Sequence, residues 1–185
     1  MLRLCHGLKR YSAALDFWFI RDSSYDKYQD KLITTLSRFY KILDNQIKHS
    51  TLLLEIPSLS YPKKLKLEIR KSEKDFDNQN MIAYSAYSTI QVLLRVHTFE
   101  QTMKNKIAAL LNRDEIKDAF DIELLLRKGM KLPELTESER ISLRKQIEKF
   151  TENDFKVKLG SIIDNETRSY YIQNRFKFLE GFLYK

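Results

Sequence analysis

The chain carries one cysteine, four glycines and three prolines in 185 residues, and each scarcity excludes something. A lone Cys5 cannot form an intramolecular disulfide and suits a reducing compartment, so a cytoplasmic protein is expected. So few glycines and prolines leave helices and strands little interrupted. His6, His49 and His97 are scattered without ligand spacing, which argues against a zinc site. No stretch approaches 18 consecutive apolar residues, and the opening MLRLCHGLKR lacks the apolar run of a secretory signal. No membrane partner is expected.

What is present is enough for a packed core. The chain is 43% hydrophobic and 12% aromatic, which excludes global disorder and fits one domain or a compact core with a helical annex. The net charge of +8 is uneven. Residues 1–97 hold 16 Lys/Arg against 10 Asp/Glu, and residues 98–185 hold 17 against 15. A polyanion would gain more from the first half, although charge alone leaves an unengaged basic surface equally open.

Periodicity divides the chain in the same place. LDFWFI (15–20) reads as a short buried strand. From Ser24 the apolar residues Tyr28, Leu32, Ile33, Leu36, Phe39, Tyr40 and Leu43 recur at helical spacing, which predicts a helix near 25–45 capped by Ser23 or Ser24. STLLLEI (50–56) reads as a strand, and Pro57 and Pro62 bracket a loop. KKLKLEIRK alternates strictly, with Leu65, Leu67 and Ile69 on one face and Lys64, Lys66, Glu68 and Arg70 on the other. SEKDFDNQN (72–80) is polar loop, and MIAYSAY and TIQVLLRV are two further strands. Beyond Thr98 the pattern is helical to the end, in about five helices. Gly129 with Pro133 stops one of these, and Thr136 with Glu139 makes a capping box for the next. The fold class expected is α+β: a core over 1–97 with a small mixed sheet of four or five strands within 13–97, then a helical bundle over 98–185.

Carboxylates on shared faces are the candidate chemistry. Positions i and i+2 of a strand face the same way, so an Asp-x-Asp strand offers two carboxylates to one divalent cation. Asp16 occupies the second such position of RYSAALDFWF, and Ala14 the first. Glu68 on a neighbouring strand could add a carboxylate and Lys66 could meet a phosphate oxygen, though alternating Lys and Glu also describe a solvated face. In the helical half, Asp118 and Asp121 share a helix face. Asp121 sits beside Phe120 and Ile122, close to an apolar stripe, so it needs a cation, with Lys106 and Arg113 the candidates. The aromatics of YYIQNRFKFLEGFLY have helical spacing and suit a core better than base stacking.

In order, RYSAALDFWF, KLKLEI and KNKIAALLNRDEIKDAFDIELLLRKG resemble the AbiEii/AbiGii family of nucleotidyltransferase toxins. Three blocks spread over residues 3–122 make the resemblance more specific than any one of them. It implies a nucleotidyltransferase-like sheet core in which Asp16 and Glu68 hold Mg²⁺ and serve catalysis with Lys66. By the same resemblance, Arg10, Ser12, Lys106, Asp118 and Asp121 attend the nucleotide phosphates. The implied donor is a nucleoside triphosphate, the acceptor an RNA such as tRNA, and the partner an antitoxin that acts as a transcriptional regulator.

Two departures bear on activity. Ala14 stands where the family has its first Asp. The chain also begins at MLRL, where a family member would just have completed a Gly-Gly-Thr/Ser turn that holds phosphates through backbone amides. Both lead to the expectation of a weak or inactive transferase. The alternative is a non-catalytic remnant that keeps the fold and binds RNA or a partner.

Overall fold

The computed structural model describes residues 2–12, 14–20, 24–58, 64–71, 76–85 and 87–184. Ser23, Pro62 and the first part of the SEKDFDNQN loop, expected as cap, loop bracket and loop, lie outside the described residues. The chain forms two compact units, residues 12–75 and residues 1–11 with 76–185. The expected break at residue 97 differs from this division: the 78–97 hairpin groups with the helices that follow it.

The 12–75 unit is built on a four-stranded mixed sheet. Its strands are β1 (Ala14–Trp18), β2 (Asp44–Ile47), β3 (Thr51–Ile56) and β4 (Leu65–Arg70), in the order β1-β4-β3-β2. β1 pairs with β4 in parallel, and β4–β3 and β3–β2 are antiparallel. β3 has neighbours on both sides and is the best buried strand, with Leu52 and Leu54 fully out of solvent. Its unbroken LLL run is what a strand covered on both faces requires.

Helix α2 (Tyr25–Leu36) enters this unit through Tyr25, whose hydroxyl donates to the Lys71 carbonyl and whose ring packs edge-on against Phe19. Ser24 takes the N-cap position with extended backbone, but its side chain makes no capping bond. The helix stops at Leu36, nine residues short of the expected end. Phe39, Tyr40 and Leu43, counted towards its apolar stripe, are exposed. Residues 44–47 pair with β3 as β2 instead, so ladder hydrogen bonds override a helical spacing that has no surface to bury against.

The other unit begins with the short α1 (Leu2–His6), which packs against β5 (Asn78–Ser85) of an antiparallel two-stranded ribbon completed by β6 (Ser88–His97). Then follow α3 (Phe99–Arg113), α4 (Ile116–Arg127), α5 (Glu137–Glu148), a π-helical segment (Asp154–Leu159), α6 (Asn165–Asn174) and α7 (Lys177–Leu183). The expected helical pattern over ETRSYYIQNRFKFLEGFLY divides in two at Arg175, whose φ of 49° ends α6. Of its aromatics Tyr171 and Phe176 are buried in the core, whereas Tyr170 and Tyr184 are exposed.

Helix ends follow the local chemistry. Thr98 accepts from the Gln101 amide at the start of α3, and Thr136 and Glu139 make the reciprocal capping box of α5. Gly129, at φ 85°, turns the chain after α4, where a residue with a Cβ would be strained. α4 is the centre of the bundle and packs on α3, the π-helical segment and α7.

Two glycines test this packing in opposite directions. A Cβ at Gly160 would run into the Lys156 carbonyl oxygen and lie 2.8 Å from Arg168 Nε, whereas one at Gly181, inside α7, meets nothing within 4 Å. Gly160→Ala should lower stability by about 1–3 kcal/mol through overpacking. Gly181→Ala should raise it by about 0.5–1 kcal/mol by removing backbone freedom from the unfolded chain. Urea unfolding of the two variants against the parent checks both signs.

Candidate functional site

In the 12–75 unit, register decides which side chains share a face. Asp16 is the direct partner of Glu68, and Ala14 of Lys66. Partners on adjacent strands project to the same side, so Asp16 and Glu68 stand next to each other on one face, as expected. The next strand continues the two rows: Glu55 lies beside Lys66 and Leu53 beside Glu68. The other face is apolar, with Leu15 beside Leu67 and Phe17 beside Ile69.

The rows differ in charge balance. Lys66 Nζ lies 3.6 Å from Glu55, which also accepts from Lys64 at 2.9 Å. The hydrogen bonds and charges of Lys64 and Lys66 hold the Glu55 carboxyl below the usual range. Asp16 and Glu68 have no such cation: among the described residues neither forms an ion pair. Ser12 leads into β1 by bonding locally, with its Oγ accepting from the Ala14 amide and donating to the Ala14 carbonyl. It shapes the strand entry and touches neither carboxylate in any described bond.

The helical unit assembles the other set. Asp118 and Asp121, three apart on α4, are both completely buried. Lys106 of α3 bridges them, at 3.0 Å from Asp118 and 2.6 Å from Asp121. Arg113, at the end of α3, grips Asp118 through Nε and Nη2 at 2.7 and 2.9 Å. Arg10 grips Asp121 the same way at 2.6 and 2.8 Å. Of the two candidate cations for Asp121, Lys106 reaches it, while Arg113, just before the Asp114 turn with φ 50°, lies on Asp118 instead.

Arg10 reaches Asp121 from a segment pinned nearby, where residue 10 bridges to Ile163 and the Tyr11 amide donates to the Ile162 carbonyl. Burial alone would raise the Asp118 pKa, but the hydrogen bonds and charges of Arg113 and Lys106 outweigh it and hold the group below its usual value. Arg10, Lys106, Asp118 and Asp121, expected together around phosphates, therefore do come together, and they bind one another. Two parallel N–H···O bonds per guanidinium make both Arg contacts the strong, directional kind.

The sequence reading did not single out Glu123. It is fully buried and accepts from the Tyr171 hydroxyl at 3.0 Å, from the Leu179 amide at 3.1 Å and from Arg127. Burial, with the adjacent Glu123 charge, pushes the Tyr171 phenol up, so it serves as a neutral donor. The available signal was an acid in the apolar run FDIELLL. Among the described residues no group of three or more His, Cys, Asp or Glu is placed to hold a metal ion. No helix of the described residues is long and apolar enough to cross a membrane.

Comparison with known proteins bears on this arrangement. No curated protein sequence matches the chain. Two solved structures share its fold. One is the crystal structure of JHP933 from Helicobacter pylori, at 17% identity and a TM-score of 0.53, covering 99% of this chain and 82% of that one. The second, described as a candidate nucleotidyltransferase from H. pylori, has 17% identity and a TM-score of 0.56, covering 99% and 84%. At that identity the likeness is one of fold. The family model for the nucleotidyl transferase AbiEii toxin of type IV toxin–antitoxin systems matches residues 1–179, nearly the whole chain, and the chain belongs to that family.

Proposed function

We propose that this AbiEii-family toxin transfers a nucleotide from a nucleoside triphosphate to a hydroxyl of an RNA acceptor, tRNA being the class to try first, and does so weakly as it stands. The observation that carries the reading is the adjacent couple of Asp16 and Glu68 on one sheet face, in no ion pair among the described residues. Two carboxylates side by side offer an all-oxygen donor set that suits a hard divalent ion such as Mg²⁺. Bound there, the ion would offset phosphate charge and polarise the phosphoryl group.

The protein's own groups supply the rest. Lys66, beside Ala14 in the same row, meets a phosphate oxygen. One of the two carboxylates takes the proton of the acceptor hydroxyl as its oxygen bonds to the α-phosphorus and pyrophosphate leaves. In the helical unit, Arg10, Lys106, Asp118 and Asp121 form a closed network with one more cation than anion once Arg113 is included. Lys106 keeps part of its side chain in solvent, where it could meet a phosphate. Such a toxin works in the cytoplasm, beside an antitoxin that acts as a transcriptional regulator.

Ala14 is the specific observation favouring a second reading, a fold retained for binding alone. Its methyl occupies the place, two residues before Asp16 and beside Lys66, where a further carboxylate would stand. Incubation with Mg²⁺, labelled nucleoside triphosphates and tRNA separates the two. Ala14→Asp should raise labelling by about 100-fold, one part of the several kcal/mol of transition-state stabilisation that the two departures together would cost. Asp16→Ala in that background should return it to background. Labelling by the parent as fast as by Ala14→Asp would place the reactive carboxylates elsewhere, and no labelling by either would leave binding alone.

The buried network gives a prediction independent of turnover. The folded Asp118 pKa is depressed, so its stabilisation is fully present above the unfolded value of about 3.9 and fades as pH falls through the lower folded value. Asp118→Asn should cost about 3 kcal/mol at pH 7, because it leaves Arg113 and Lys106 short of a charge they enclose. It should also flatten the acid limb of the stability curve. Urea unfolding of parent and variant between about pH 3 and 7 checks both.

A further inference from the structure

The β5–β6 ribbon is unlike the rest of the molecule. In a chain that is 31% charged, residues 81–94, MIAYSAYSTIQVLL, contain no Asp, Glu, Lys, Arg or His. Burial along β5 alternates. Gln79, Met81, Ala83 and Ser85 turn inward, and Asn78, Asn80, Ile82 and Tyr84 turn outward. Leu93 is the register partner of Ile82 and joins it on the outward face. A half-buried ribbon ordinarily puts polar residues there. This one leaves Ile82, Tyr84 and Leu93 in solvent there, while Tyr87 beside the turn and Ile90 and Val92 on the opposite face, Val92 being the partner of Ala83, are exposed too, from 48% at Val92 to 87% at Tyr87.

Its β6 edge is equally unprotected. Among the described residues no third strand pairs with β5 or β6, and the ten-residue β6 has no proline and no charge before Arg95. Natural edge strands are normally blunted by lysine, proline, a covering element or short length. A bulge between Ala83 and Ser85 interrupts β5, which leaves β6 the more regular edge.

We propose that this ribbon is the contact between two copies of the chain, paired through β6 about a two-fold axis. Charge selects the occupant. Each copy carries +8, so like copies repel over most of their surface, and this uncharged ribbon is where they can approach without opposed like charges. An acidic or basic partner would be recognised by complementary charge, which the segment lacks. A two-fold contact is self-complementary, matching strand β6 to β6 antiparallel and giving a four-stranded sheet. The contact joins the main-chain edge of β6 to its copy, and the exposed apolar side chains flanking that edge, Ile90, Val92 and Leu93, meet their counterparts across the axis. The composition, rich in Tyr, Met and branched aliphatics and free of charge, is that of an interface core.

Sedimentation velocity of the whole chain over a concentration series tests this, with hydrogen exchange followed at low and high concentration. The expected result is a dimer with Kd on the order of 1 µM or tighter, and amide protection across 88–94 that rises with concentration. Leu93→Lys should weaken the dimer by about 100-fold or more, because the axis buries the unpaired ammonium twice. Phe39→Lys, an equally exposed aromatic outside the ribbon, should leave it unchanged. The exchange measurement uses the unaltered chain, so it holds even if Leu93→Lys fails to fold. A chain that stays monomeric throughout, whether or not it binds vesicles or another protein through the ribbon, would overturn the proposal. So would a dimer whose concentration-dependent protection lies outside 78–97.

Discussion

A carboxylate taken out of water costs several kcal/mol unless cations or multiple donors replace its hydration, and α4 carries three of them in six residues. Asp118, Asp121 and Glu123 are all fully buried, so the helix cannot sit where it does until five or six specific groups arrive. Lys106 and Arg113 come from α3, Arg10 from the chain's beginning, and Tyr171 and the Leu179 amide from the last two helices. The apolar core sets how tightly the helices pack. The carboxylates set which helices are neighbours, because leucines interchange at little cost and a bidentate Arg–Asp contact does not.

That constraint explains why a segment far away in sequence belongs to the helical unit. Residues 1–11 precede the sheet, yet they cluster with 76–185. Leu2 and Leu8 enter the helical core, Arg10 neutralises Asp121, and the Tyr11 amide reaches Ile162. Ser12, the next residue, already belongs to the sheet unit and bonds only to its own strand in the described contacts. The strand motif RYSAALDFWF thus changes allegiance within three residues, and its arginine serves a different unit from its aspartate.

Strictly alternating or capped segments were legible in the sequence because local chemistry fixes them. KLKLEIR puts its polar and apolar residues on opposite faces whatever surrounds it, and Thr136 with Glu139 can close a helix end without outside help. The buried acids were half legible. An Asp beside Phe120 and Ile122 demanded a cation, and Lys106 answered as expected. The exchange of Arg10 for Arg113 depended on an αL turn at Asp114 and a contact across 111 residues, neither of which periodicity encodes. The helix that stopped at Leu36 failed for the converse reason: its remaining aromatics had the right spacing and nothing to pack against. The pairing of Asp16 with Glu68 rested on family likeness, since alternation alone assigns faces within a strand but not register between strands.

Like charges directly opposite each other on neighbouring strands are destabilising, and sheets normally place opposite signs there. The row containing Ala14 obeys this, with Lys66 next to Glu55. The row containing Asp16 violates it, with Glu68 as direct neighbour and Leu53 beyond. Two carboxylates about 5 Å apart repel by only about 1 kcal/mol in water, but by several if a ligand excludes solvent from the face. A strand pair selected for stability alone would replace one of them, and a single Lys would suffice. With both kept beside the Ala14–Lys66 row, the two rows differ in their demand for a counter-charge. Lys66 is satisfied by Glu55 without a carboxylate at residue 14, so that row is balanced as it stands. Asp16 and Glu68 instead form a carboxylate couple that no ion pair among the described residues offsets, and that asymmetry is what ties the proposed transfer to this face of the sheet.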